Sequence, residues 1–291
     1  MGCINEITGH TKLTGLLGSP VAHSKSPLMH NEAFRLLELD YVYLCFDVPE
    51  DNLTTAFEGL KKLNVAGFNC TMPDKTLMYQ LVDELSPAAK IIGAVNTVVN
   101  KGGKFVGHNT DGIGYIRSLQ DCGHDIKDKK MTLLGAGGAA SSIMVQAAID
   151  GARAIDVFSI KDNFWEKAEK MVADINSSTN CKARLIEMNN DDILGASIAD
   201  SDILTNATPI GMAPNTDRCL IKDSSMLRPE LIVSDIIYNP LETCLYRMAK
   251  EVGCPVFNGL YMLLYQGAEA FKLWTGKEMP TEAIKEKYFS V

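Results

Sequence analysis

The stretch Lys130-Met131-Thr132-Leu133-Leu134-Gly135-Ala136-Gly137-Gly138-Ala139-Ala140 decides the reading of this chain. Five residues of a buried strand run directly into Gly-x-Gly-x-x-Ala. Gly135 permits the tight strand-to-helix turn, and Gly137 lets the backbone approach a pyrophosphate. Ala140 is small enough for close helix–strand packing. A helix follows from about Gly138 to Asp150, and a second strand at Ala154–Phe158. The motif alone is weak, because any glycine-rich turn can match it. Set between a strand and a helix, and followed by another strand, it points to a dinucleotide held on a helix N-terminus.

Outward from this unit the alternation continues. Downstream, Phe164–Ile175 reads as a helix, and Ala183–Glu187, Asp202–Thr205 and Leu231–Asp235 as strands. Thr243–Val252 is helical and Pro255–Phe257 a short strand. Helices then run from Gly259 to Trp274 and over Thr281–Tyr288. Upstream, Asp111–Cys122 is a helix. The first third reads as strand Leu13–Gly18, helix Ser26–Leu39 with Pro27 in its first turn, strand Tyr41–Val48, helix Asp51–Leu63 and strand Val65–Asn69. Pro73 opens a helix to about Leu85, and Gly102-Gly103 turns a hairpin between Ala94–Asn100 and Lys104–Val106. The expected architecture is α/β in two domains. One is a mixed, mostly parallel α/β substrate domain over 1–110, completed by the C-terminal helices within 259–291. The other is a doubly wound Rossmann-type dinucleotide domain over 111–258.

Composition narrows the function. With 291 residues, 46% hydrophobic and 22% charged, the chain is an ordinary globular protein of two-domain size. Its formal net charge of -8 repels phosphate backbones and anionic membranes, so neither nucleic acid nor membrane is an expected partner. The eight cysteines form no C-x-x-C pair and read as reduced thiols. Met1–Thr14 has no apolar signal core, and no uncharged apolar stretch reaches the roughly 20 residues of a membrane span. A cytoplasmic protein is expected. The five histidines have no metal-ligand spacing, so no metal is expected.

Four polar segments of the first half sit at strand ends or helix starts. They are His23-Ser24-Lys25-Ser26-Pro27, Gly67–Lys75, Gly93-Ala94-Val95-Asn96-Thr97 and Gly107–Gly112. Each alone reads as helix capping, by Ser26 before Pro27 or by Thr71 near Pro73. Four together beside a dinucleotide domain point to a polyhydroxylated or acidic small-molecule substrate.

These motifs resemble the shikimate dehydrogenase family, including its quinate/shikimate dehydrogenase branch, over nearly the whole chain. The likeness continues through the glycine-rich turn, Asn206–Met212, Asp235–Pro240 and Leu264-Tyr265-Gln266-Gly267-Ala268. It implies reversible NAD(P)-dependent oxidation of shikimate to 3-dehydroshikimate, with quinate to 3-dehydroquinate as a companion reaction. It implies that Ser24 and Ser26 hold the substrate carboxylate with Tyr238 near that end. Thr71, Asn96, Asp111 and Gln266 would hold the ring hydroxyls, and Lys75 and Asp111 would be the catalytic pair that also touches substrate. A lysine can take the hydroxyl proton only as the free amine, which partial burial favours. Without the motif, Lys75 reads as a surface helix lysine paired with Asp74 or Asp111. The residues expected to bind the cofactor are Gly135, Ala136, Gly137, Gly138, Ala139, Ser159, Lys161, Asp162, Thr208, Met212, Gly259 and Met262.

Two positions depart from the family pattern. Many NADP-specific members carry an Asn-Arg-Thr-like segment where this chain has Ser159-Ile160-Lys161-Asp162. An aliphatic Ile160 cannot clamp a phosphate as arginine would, so NAD is favoured and NADP stays open through Lys161. Asp162 reads either as a ribose partner or as the cap of a helix starting near Asn163. Lys25 stands where an apolar residue is common. Rival readings are another two-domain dehydrogenase, of methylene-tetrahydrofolate or amino-acid type, or a non-catalytic nucleotide-sensing protein on this scaffold. The oligomer is expected to be a monomer or homodimer.

Overall fold

The computed structural model describes residues 6–71 and 74–289. Cys3, Met72 and Pro73 lie outside them, and so does the expected opening of a helix at Pro73. The chain divides into two units, one from the residues up to Thr110 with those from Leu264 onward, the other Asp111–Leu263.

The first unit holds β1 (Lys12–Gly18), α1 (Ser26–Leu36), β2 (Tyr41–Asp47), α2 (Leu53–Lys62), β3 (Gly67–Cys70), α3 (Lys75–Leu81), β4 (Glu84–Leu85), α4 (Pro87–Ile92), β5 (Thr97–Lys101) and β6 (Lys104–His108). Its sheet has the order β2-β1-β3-β5-β6-β4. β1 pairs parallel with β2 and β3, while β5 is antiparallel to both β3 and β6. The β5–β6 turn needs two positive φ angles, and Gly102 (+65°) and Gly103 (+95°) supply them. One core cluster gathers Leu17, Leu53, Phe57, Phe68, Val98 and Phe105. A second is aromatic. The His30 ring stacks on Tyr43 at 4.4 Å, Phe34 stacks on Phe271 at 5.0 Å, and Trp274 joins them. Trp274 Nε1 donates to the Val98 carbonyl at 3.0 Å. A side chain at Gly67 would collide with that indole.

Two expectations in this unit need correction. The helix expected to reach about Leu85 stops at Leu81. Asp83 exchanges bonds with Phe105, its N–H donating to the Phe105 carbonyl and its carboxylate accepting from the Phe105 N–H. Sheet pairing therefore pulls the chain out of the helix, and Glu84–Leu85 becomes parallel strand β4. The unforeseen α4 follows, capped by Ser86 Oγ, entered through Pro87 and closed by Gly93 at φ +66°. Ser26 does not cap α1, because it already lies inside the first turn. Ser24 Oγ instead accepts from the Ser26 N–H at 3.2 Å.

The second unit begins with α5 (Asp111–Asp121). It continues through β7 (Lys130–Leu134), α6 (Gly138–Ile149), β8 (Ala154–Ser159), α7 (Trp165–Ser178), β9 (Lys182–Glu187), α8 (Asp191–Ala199), β10 (Ile203–Asn206), β11 (Ile232–Asp235), α9 (Cys244–Val252) and β12 (Val256–Asn258). The order β12-β11-β10-β7-β8-β9 is all parallel, the doubly wound arrangement expected. α6 is buried from Ala140 through Ala148. Gly112 allows the close approach of α5, since a β-carbon there would strike the Ser142 carbonyl. The sequence reading missed α8, although Asn190 caps it by accepting from the Asp192 N–H at 2.8 Å.

The last helices are α10 (Leu260–Thr275) and α11 (Thr281–Ile284), the latter continued by a π-helical turn over Lys285–Phe289. α10 does not pass whole to the first unit as expected. Its first turn, up to Leu263, groups with the second. Gly259 holds it there, its N–H donating to the Ile237 carbonyl at 3.2 Å. A β-carbon at Gly259 would overlap the Ile236 backbone.

Candidate active site

In the first unit the predicted substrate residues stand at strand ends and helix starts. Thr71 follows β3, with its N–H donating to the Leu17 carbonyl at 2.9 Å. Lys75 is the first residue of α3, half-buried. Its neighbour Asp74 is fully buried with neither carboxylate oxygen hydrogen-bonded, and burial first, then the Glu50 charge, push its carboxyl up to about 6. Gln266 is half-buried on α10. Ser24 and Ser26 sit before and at the start of α1, and Lys25 between them lies with its ammonium 5.5 Å from the Phe289 ring.

Asn96 is only 2% exposed. Its Oδ1 accepts from the Thr110 N–H at 2.8 Å, and its Nδ2 donates to Thr110 Oγ1 at 3.0 Å. Asn69 Nδ2 donates to Thr97 Oγ1 at 3.0 Å, while Asn69 Oδ1 accepts from the Tyr43 hydroxyl at 2.9 Å. Asn69, Thr97 and Thr110 thus bond to one another's neighbours around Asn96, and sequence reasoning did not single them out. Their signal was present, since all three lie inside the quoted motifs. Burial with satisfied bonds makes such a network rigid.

In the second unit, Asp111 opens α5. Gly135 adopts φ +105°, and a β-carbon there would press on Ala207 and Thr208. A β-carbon at Gly137 or Gly138 would meet nothing within 4 Å. Gly137 provides no side-chain cap to α6. Open space over an uncapped N-terminus of a 12-residue helix is the cradle a pyrophosphate needs. Ala136 is buried in the turn and Ala139 half-buried beside it.

The loops after β10 and β11 are tied by another network absent from the sequence reading. Asn206 Oδ1 accepts from Thr208 Oγ1 at 2.7 Å, and Asn206 Nδ2 donates to Asp235 Oδ1 at 3.1 Å. Asp235 Oδ2 accepts from Thr243 Oγ1 at 2.7 Å. Burial raises the Asp235 carboxyl, against the bonds from Thr243, Asn206 and the Ile237 N–H. Met212 and Tyr238 are exposed on these loops, and Met262 is half-buried on the first turn of α10. Gly259 serves the backbone approach already described.

At the end of β8, Ser159 is buried and Ile160 is 62% exposed. Asp162 Oδ1 accepts from the Phe164 N–H at 2.9 Å. It therefore closes a turn ahead of α7, which starts at Trp165 rather than near Asn163. Among the described residues no cluster of three metal-ligating side chains occurs, and no helix is long and apolar enough to cross a membrane.

Residues 16–98 match the shikimate dehydrogenase substrate binding domain, and 259–287 match the shikimate 5'-dehydrogenase C-terminal domain. A shikimate dehydrogenase (NADP(+)) of Listeria innocua is 53% identical over 284 residues, covering 98% of both chains. The crystal structure of shikimate 5-dehydrogenase from Listeria monocytogenes, in complex with shikimate and NAD, superposes with a TM-score of 0.93 at 53% identity. It covers 96% of this chain and 97% of that one. Quinate dehydrogenase from Corynebacterium glutamicum in complex with NAD gives 0.85 at 29% identity, with 97% and 99% covered. A nicotinamide dinucleotide fits the turn at Gly135–Gly138, and the chain belongs to the shikimate dehydrogenase family.

Proposed function

We propose that this chain catalyses the reversible NAD(P)-dependent oxidation of shikimate to 3-dehydroshikimate. The observation that carries the reading is 53% identity across 98% of the chain to a shikimate dehydrogenase. A nicotinamide dinucleotide held at the Gly135–Gly138 turn would supply the hydride acceptor for the reacting carbon. Lys75 takes the hydroxyl proton in oxidation and returns it in reduction, and Asp111 orients it and binds the same hydroxyl. Ser24 and Ser26 bind the substrate carboxylate with Tyr238. Thr71 and Gln266 hold ring hydroxyls. Asn96 holds ring hydroxyls with them, and its bonds with Thr110 fix its side chain in place.

The glycine turn Gly135–Ala139 binds the pyrophosphate, with Thr208, Met212, Gly259 and Met262 completing the nucleotide site. At its adenosine end, Ser159, Ile160 and Asp162 favour NAD, and Lys161 is the one residue of that turn suited to the extra phosphate of NADP. Likeness to the Corynebacterium quinate dehydrogenase supports quinate as a second substrate. The buried thiols Cys70, Cys181 and Cys254 suit a reducing cytoplasm. A monomer or homodimer is the proposed assembly.

Steady-state kinetics at 340 nm with shikimate and quinate, each with NAD and NADP, test the reading. Turnover of shikimate with NAD is expected to exceed that of unrelated secondary alcohols. No turnover of shikimate with either dinucleotide would overturn it.

A further inference from the structure

β8 and β9 run parallel with Ser159 opposite Glu187, and the Met188 N–H donates to the Ser159 carbonyl at 2.8 Å. The pairing carries the last residue of β9 to the turn Ser159-Ile160-Lys161-Asp162. Lys161 Nζ lies 3.0 Å from Glu187 Oε2 and 5.6 Å from the centre of the Trp165 ring. Lys161 is the one basic residue in the sequence Ser159–Phe164.

In doubly wound folds this strand end receives the adenosine ribose, and a cation there accepts a 2′-phosphate. Here that cation already has a carboxylate. We infer that Glu187 is a specificity-determining residue, which selects NAD over NADP by occupying Lys161 and placing a negative charge beside the ribose position. The inference rests on the proposed dinucleotide site. A 2′-phosphate must draw Lys161 away from Glu187 and then remain near both Glu187 and Asp162. The uncharged 2′-hydroxyl of NAD meets neither obstacle. Glu187 acts through Lys161 and the local field, so it is a positioning residue, not a catalytic one.

The test is the ratio of kcat/KM for NADP to that for NAD in the full-length enzyme. Glu187→Gln should move the ratio toward NADP by about fivefold, the scale set by one exposed ion pair and one removed like charge. The change should lie in KM for NADP, with kcat and KM for NAD nearly unchanged, and should shrink at high salt. Glu187→Asp should keep the original preference. Lys161→Ala should diminish the gain when added to Glu187→Gln, leaving only the part that comes from the removed like charge. A ratio unmoved by Glu187→Gln, or a gain undiminished by Lys161→Ala, would overturn the inference. A wild-type preference for NADP would instead refute the proposed NAD selectivity, and the shift relative to wild type would still judge Glu187. Glu187 lies on edge strand β9 and is partly exposed, so these variants are expected to fold, and circular dichroism checks that they do.

Discussion

Replacing Asp156 with asparagine removes the one negative charge in the middle of β8 while keeping its size. The carboxylate is 1% exposed. It accepts from Arg184 Nε and Nη2, both at 2.8 Å, and from Ser197 Oγ at 2.8 Å, with Lys130 Nζ at 3.0 Å. Burial alone would raise its pKa, but Arg184, Lys130 and Ser197 outweigh it and hold the carboxyl at about 2. A fall from 3.8 to about 2 is worth about 2.5 kcal/mol at about 1.4 kcal/mol per pH unit. Breaking a buried pair typically costs about 3–5 kcal/mol. The lower figure fits here, because Arg184 is mostly exposed and Lys130 keeps Asp200 at 2.8 Å. Hydrogen exchange of a peptide covering Ala154–Ser159 should therefore accelerate by about 60-fold at neutral pH in Asp156→Asn, the tenfold-per-1.4 kcal/mol equivalent of about 2.5 kcal/mol. A depressed carboxyl stabilises in full above its unfolded pKa, near 3.8, and loses that contribution as pH falls through about 2. The difference between wild type and variant should accordingly close between those values. Unchanged exchange at neutral pH, or a difference that persists at pH values below about 2, would refute the reasoning.

Three further outcomes are expected. Lys75→Ala should lower kcat by about 10²- to 10⁴-fold with shikimate binding nearly intact by calorimetry, and near-normal turnover would remove Lys75 from the chemistry. Burial holds the fully buried His30 neutral down to about 3, while the unfolded chain protonates near 6.5, so stability should fall as pH drops below 6.5. The loss reaches about 3 kcal/mol by pH 4, and His30→Phe should not show it in urea midpoints measured across that range. Gly259→Ala forces a β-carbon onto the Ile236 backbone and should cost about 1–3 kcal/mol, seen as a lower Tm. An unchanged Tm would mean that the turn into α10 has room to relax.

Local chemistry was readable wherever neighbouring residues specify their own conformation. β7, the glycine turn and α6 follow from one another within 20 residues, and the structure reproduces β7 to the residue. The hairpin at Gly102-Gly103 is of the same kind. The extent of α3 was not readable, because Asp83 and Phe105 compete for the chain through bonds that span 22 residues. Nor was the role of Asn69, whose motif was plain while its partners Tyr43 and Thr97 come from other strands.

The sequence by itself determined that two α/β sheets form and that a glycine turn at Gly135–Gly138 joins a strand to a helix, and it supplied the polar motifs that we propose hold a hydroxylated substrate. Each of these rests on periodicity, turn chemistry and short-range spacing, which the backbone obeys locally. Only the tertiary structure decided that Asn96 pins Thr110, that Asp235 ties the loops after β10 and β11, and that Lys161 meets Glu187 across a strand pair. Strand order and register choose those partners, and both are set by which apolar faces bury together, not by any neighbour along the chain.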